Sequence, residues 1–222
     1  MTDYERDTKH AYRNAERAAE YKHFHTRALS WARVATAREQ RALRRILGRI
    51  QWQNGDVLLD VPCGSGIAAA LLNELDVDVV AADISREMME QSRGEYREDR
   101  FRGYVQADIT VMPIAARAIR AVLSLGFLHR VPLEVKRSAL AAMAALEADV
   151  FVVTASVDSP VQRVKHRLLG AVRRGHVPAP APMSLAALDR EFRRAGLEIV
   201  ERVAVIPLLS ADTIFVLRRS AR

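Results

Sequence analysis

The chain has 222 residues, half of them hydrophobic, with a net charge of +7 and a single cysteine. That length suits one large α/β domain with a full core. No apolar run approaches the roughly 20 residues of a membrane span, and the charged N-terminus lacks the apolar segment of a signal peptide. One cysteine excludes an internal disulfide, so a cytoplasmic location is expected. The charge is uneven: residues 1–54 carry 12 basic and 6 acidic side chains, residues 55–110 carry 5 and 12, and residues 160–222 carry 12 and 5. Only four of the 34 basic residues are lysine. Either the composition is arginine-biased, or basic flanks attract an acidic substrate, a lipid surface or nucleic acid.

Residues 1–54 read as a helical cap packed on the main sheet. Ala11, Ala15, Ala18, Ala19 and Tyr21 recur at helical spacing among charges. A second helix over residues 26–50 has Leu29, Val34, Leu43, Ile46, Leu47 and Ile50 on its apolar side, and Asn54-Gly55 closes it. Residues 55–70, GDVLLDVPCGSGIAAA, then give a buried strand, a glycine turn at Gly64 and Gly66, and an alanine-rich helix start. Such a unit cradles a nucleotide-like ligand, because unpaired backbone N–H groups point out of it.

A second strand over 77–82 ends at Asp83, and Ser85 caps a helix over 86–98. Residues 101–106 form a third strand and 119–125 a fourth. An alanine-rich helix over 134–147 leads to a fifth strand at 150–155. Strands alternating with helices predict parallel right-handed crossovers. A basic amphipathic helix over 161–174 precedes the proline-rich loop 177–182, and Ser184 caps a helix that stops at Gly196. Strands at 199–206 and 213–217 are joined by so few residues that they form an antiparallel hairpin. The prediction is a seven-stranded, doubly wound α/β sheet, mostly parallel with an antiparallel last strand, plus N-terminal helices.

Asp60 sits beside the glycine turn, Asp83 ends the second strand, and Asp108 follows the third. An acid at the second strand end can accept both hydroxyls of a ribose, and one at the third can accept from an exocyclic amine. All three fall at carboxyl ends of strands, where open α/β sheets bind ligands.

The run VLLDVPCGSG resembles the first motif of class I S-adenosylmethionine-dependent methyltransferases. VVAADIS with REMME is similar to their second-strand motif, YVQADITVMP to their adenine-side motif, and AVLSLGFLHRVP to the fourth strand of the quinone and small-molecule branch. FRRAGLEIVERV and the terminal hairpin fit the family's last helix and strands. The resemblance implies a Rossmann-like methyltransferase domain over 55–222 that uses S-adenosyl-L-methionine. It implies that Asp60, with the backbone of Cys63, Gly64 and Gly66, holds the methionine end. It places Asp83 on the ribose, Ile84 and Met88 against the adenine, Asp108 and Ile109 at the adenine amine, and Leu125 at the cofactor's amino group. His129 is the candidate base or substrate orienter, and Tyr12 and Tyr21 are candidate substrate-side residues. Pro62 departs from the family's usual glycine.

The expected reaction is methyl transfer to a small molecule, by alignment and exclusion of water. An RNA methyltransferase is the alternative that the charge favours, although no appended RNA-binding module and no Asn-Pro-Pro-aromatic run accompany it. A nicotinamide oxidoreductase meets only part of its fingerprint, at Gly64, Gly66 and Ala69. A non-catalytic cofactor-binding protein is the fourth reading. His23 and His25 are two apart and share no helix face, so no metal is expected.

Overall fold

The computed structural model describes residues 30–158, 182–206 and 212–220. Tyr12, Tyr21, His23, His25, the helix expected over 161–174 and most of the proline loop lie outside these residues. The first described element is α1 (Ser30–Leu47), whose last turn carries Arg44 and Arg45 against the negative helix end. It buries Leu43, Ile46 and Leu47, three positions of one helical stripe. There follow β1 (Val57–Asp60), α2 (Ala69–Leu72), β2 (Asp78–Asp83), α3 (Arg86–Gln91) and β3 (Phe101–Gln106). Next come β4 (Ala121–Ser124), α4 (Leu133–Ala145), β5 (Val150–Ser156), α5 (Leu185–Arg194), β6 (Leu197–Ala204) and β7 (Asp212–Arg219).

The seven strands lie in the order β3-β2-β1-β4-β5-β7-β6. The first five are parallel, and β7 runs antiparallel to both β5 and β6. The predicted sheet is therefore the observed one. The two faces carry separate cores. One joins Leu43, Ile46 and Leu47 of α1 to Leu58, Leu71, Leu72, Val79 and Val152. The other joins Leu140 and Met143 of α4 and Phe192 of α5 to Leu59, Val122, Phe151 and Phe215. Both faces of β1, β4 and β5 are covered, which is why these strands read as near-continuous apolar runs.

Three helices are shorter than their sequence periodicity suggests. α1 ends at Leu47, before Gly48. α2 is a single turn, because Ile67 and Ala68 still belong to the loop. α3 stops at Gln91, not at residue 98. Its cap residue Ser92 turns its hydroxyl onto the Met89 carbonyl (2.8 Å), and Gly94 follows with φ +77°. β7 extends beyond both expected ends, whereas β6 begins and ends two residues earlier than expected, with the register bulged between Ile199 and Glu201. No described helix is long and apolar enough to cross a membrane. Many of the arginines face carboxylates: Arg44 grips Glu74 with two bonds (2.7 and 2.8 Å), Arg102 grips Asp78 (2.6 and 2.7 Å), and Arg137 joins α4 to Glu191 of α5 (2.8 and 3.0 Å).

Candidate functional site

The order of strands reverses between β1 and β4, and that switch point opens a crevice at the carboxyl edge of the sheet. The loop leaving β1 is sewn to the strands on both sides. Val61 N–H donates to the Leu123 carbonyl (2.9 Å) and Cys63 N–H to the Ala82 carbonyl (2.8 Å). Pro62 stands between these two donors behind a cis Val61–Pro62 peptide. Its missing N–H leaves no gap in the ladder, because its neighbours make the bonds. The glycine that the family pattern has at this position is not needed for the loop to be held.

Gly64 and Gly66 differ in what they do. Gly64 (φ +54°) donates its N–H to Asp83 Oδ2 at 2.9 Å. Gly66 (φ +78°) lies where an added Cβ would come within 2.9 Å of Ser92 Cβ and 3.2 Å of Glu95 Cβ. It permits close packing of the loop on the end of α3, and it is not among the residues lining the cavity described next.

A cavity of about 390 Å³ fills the crevice. It brings together Asp60, Cys63, Gly64, Asp83, Ile84, Met88, Asp108, Ile109, Leu125 and His129, ten residues that the sequence singled out. Asp83 is almost fully buried, with 6% of its surface exposed. Its Oδ1 accepts from Ser85 N–H (2.9 Å), so its carboxylate ties the β1 loop to the start of α3. Burial raises its carboxyl above the ordinary range, and the backbone N–H groups of Ser85, Gly64 and Ile84 oppose that rise. Asp108 Oδ1 accepts from the N–H (2.9 Å) and hydroxyl (2.8 Å) of Thr110, which fixes its carboxylate at the cavity wall.

Asp60 is held from behind by Tyr96, whose hydroxyl donates to Oδ2 at 2.8 Å. Tyr96 is itself stacked on Phe101 with ring centroids 4.9 Å apart. Burial pushes the Asp60 carboxyl up to about 7, against the pull of the Tyr96 hydroxyl and with a further push from Asp83. The same burial raises the Cys63 thiol, so Cys63 stands in the wall as a neutral group.

The other half of the cavity uses residues that sequence reasoning passed over: Glu39 of α1, Arg130 after β4, Thr154 of β5 and Asp212 of β7. Thr154 accepts the Gly126 N–H (2.8 Å), and Ser156 donates its hydroxyl to Asp212 (3.0 Å). Glu39 is pushed up to about 7 by burial and then by the Asp212 charge. His129 Nε2 accepts from Arg130 Nε at 3.2 Å. A guanidinium has donors only, so the neutral ring carries its proton on Nδ1. That Nδ1 is buried and has no partner among the described residues. Burial holds His129 below its ordinary range, and the Arg130 and Lys136 charges add to this while Asp212 opposes it.

Two signals could have found the second half. Glu39 is the only acid between residues 21 and 54. Asp212 begins the strand that runs backwards, so its first residue shares an edge with the last residues of the parallel strands; it pairs with Ser156.

Residues 58–148 match the family model described as a methyltransferase domain. No curated protein sequence matches the chain. Among solved structures, the chain is similar to magnesium protoporphyrin IX methyltransferase from Synechocystis PCC 6803 with bound S-adenosylhomocysteine (SAH). That likeness has a TM-score of 0.73 and 14% identity, over 98% of this chain and 97% of that one. It is also similar to the Burkholderia thailandensis 1,6-didemethyltoxoflavin-N1-methyltransferase with its substrate and S-adenosylhomocysteine, with TM-score 0.62 and 19% identity over 92% and 87% of the two chains. An S-adenosylmethionine-dependent methyltransferase from Clostridium acetobutylicum ATCC 824 aligns with TM-score 0.61 and 11% identity, over 84% and 92%.

Proposed function

From a chain whose residues 58–148 match the model of a methyltransferase domain, we propose an enzyme that moves the methyl group of S-adenosylmethionine to a small-molecule acceptor. The observation that carries this reading is the ring of three acids around one cavity: Asp60, Asp83 and Asp108, each at or just past the end of one of three adjacent strands. The residues fit the cofactor's chemistry. Asp60, buried and raised toward neutrality, regains its charge beside an ammonium group. Asp83, with both oxygens already ordered by backbone N–H groups, has lone pairs left for ribose hydroxyls. Ile84, Met88 and Ile109 supply an apolar wall for a base, and Asp108 its amine acceptor.

S-adenosylmethionine supplies an electrophilic methyl group on a sulfonium. The protein's share is to orient the acceptor, exclude water and take a proton where one must be lost. A small acceptor is supported by the size of the cavity, about 390 Å³, and by the two similar structures, a magnesium protoporphyrin IX methyltransferase and a 1,6-didemethyltoxoflavin-N1-methyltransferase. A reducing cytoplasm suits the buried free thiol of Cys63. The test is calorimetric titration of the full chain with S-adenosylhomocysteine and with NADH. Binding of the first and not the second is expected; the reverse would overturn the reading.

A further inference from the structure

Asp60, the acid proposed to meet the cofactor's ammonium group, is the most deeply buried acid of the cavity wall, with 1% of its surface exposed. A carboxylate in such a place needs donors. Among the described residues one reaches it, the Tyr96 hydroxyl, 2.8 Å from Oδ2. Burial, and then the Asp60 charge, push that hydroxyl above its ordinary range, so it stays protonated and donates. Tyr96 does not line the cavity. It is the one buried residue between Arg93 and Asp99, inserted from an otherwise exposed turn. Its ring is stacked on Phe101 with centroids 4.9 Å apart and meets the edge of Tyr104 at 6.3 Å. Its backbone is held from the end of α2. Asn73 Nδ2 donates to the Glu95 carbonyl (2.7 Å) and Asn73 Oδ1 accepts from Arg97 N–H (2.8 Å), so one side-chain amide brackets Tyr96 on both sides. Gly66 lets the β1 loop lie against the same turn, at Ser92 and Glu95. The apolar ring alone would fill the space; the hydroxyl serves Asp60.

Resting on the S-adenosylmethionine reading, we propose that Tyr96 is a positioning residue for the cofactor's ammonium group, acting through Asp60, and that Asn73 is the clamp that holds Tyr96 in place. The hydroxyl occupies Oδ2, and Oδ1, which no described residue engages, remains for the ammonium group. A donor to a carboxylate also favours its charged form. The titratable groups beside Asp60 are Asp83 at the end of β2 and Cys63 in the β1 loop; Glu39, Asp108, His129, Arg130 and Asp212 stand farther round the wall. Before the cofactor binds, burial keeps Asp60 protonated up to about pH 7, with Asp83 adding to the effect and Tyr96 opposing it. As the ammonium group arrives, the Asp60 O–H bond breaks, its proton leaves to the buffer, and carboxylate and ammonium pair. Affinity therefore rises with pH through that range and then levels off. Without the Tyr96 hydroxyl the rise moves to higher pH.

The test is calorimetric titration of the full chain with S-adenosylhomocysteine at about pH 6 and about pH 8.5. Wild type is expected to bind about tenfold more tightly at the higher pH. Tyr96→Phe keeps the ring and should bind about tenfold more weakly than wild type at the lower pH, the worth of a hydrogen bond to a charged group, and within about threefold at the higher. Asn73→Ala should shift binding in the same direction, by at least about threefold at the lower pH. Asp60→Asn should bind at least about tenfold more weakly than wild type at the higher pH and show no rise. Thermal melting shows whether each variant is folded, and Asn73→Ala decides the matter should Tyr96→Phe fail to fold. Equal weakening of Tyr96→Phe at both pH values would reduce Tyr96 to packing and overturn the inference. A rise that survives in Asp60→Asn would belong to Glu39, which is raised into the same range, and would overturn it too. Wild-type affinity that does not change with pH would overturn the inference alone. If wild type binds S-adenosylhomocysteine at neither pH, the cofactor reading falls and takes this inference with it.

Discussion

Asp83 performs two tasks that one substitution cannot separate. Its carboxylate joins the Gly64 and Ser85 N–H groups, both at 2.9 Å, and it faces the cavity where the ribose is proposed to lie. Asp83→Ala leaves both N–H groups without their acceptor. A hydrogen bond to a charged group is worth about 1.5–3 kcal/mol, and the relief of burying a carboxylate offsets part of the loss. A destabilisation of about 2–3 kcal/mol is expected. Asp83→Asn keeps one acceptor oxygen but turns an amide donor toward the second N–H, so about half that cost remains. Both variants lose the charge and an oxygen on the ribose side, and S-adenosylhomocysteine should bind at least tenfold more weakly, or about 1.4 kcal/mol. Urea unfolding measures the first quantity and calorimetry of the folded protein the second. Binding by Asp83→Asn within twofold of wild type would refute the ribose contact. An Asp83→Ala stability within about 0.5 kcal/mol of wild type, the scatter of an ordinary surface change, would refute the tie between the two loops.

Gly66→Ala should destabilise the fold by about 1–3 kcal/mol, since the new methyl meets Ser92 Cβ at 2.9 Å and φ is +78°. The folded fraction should bind S-adenosylhomocysteine normally, because Gly66 does not line the cavity; selective loss of binding would show otherwise. Glu39 makes a prediction about pH. Its carboxyl rises from 4.5 to about 7 on folding, so the folded state binds the extra proton and stability falls as pH rises through that window. Glu39→Gln cannot ionise, and its stability advantage should be about 2 kcal/mol larger at pH 8 than at pH 5. An advantage that does not change between those pH values would mean that Glu39 is hydrated in the folded state.

The sheet was legible because its strands obey local rules. Runs such as Val57 to Leu59 and Val150 to Val153 are buried on both faces and show it in sequence. The short link before Asp212 admits only a hairpin. The half of the cavity proposed for the cofactor was legible for a related reason: each of its residues lies within a few positions of a strand end, so chain position predicts spatial position. The other half was not. Glu39 reaches the cavity because α1 packs its Leu43 and Leu47 on the sheet, and the rotation of a helix about its axis is set by tertiary packing. Tyr96 lies beyond the end of α3, in a segment that helical periodicity had assigned to the helix itself. Where Ser92 turns its hydroxyl back on Met89 and Gly94 adopts a positive φ, the chain bends instead and delivers the Tyr96 hydroxyl to Asp60. That bend is a competition between a side-chain hydrogen bond and one more helical turn, a small local difference. Its outcome decides what stands behind the acid at the heart of the β1 loop.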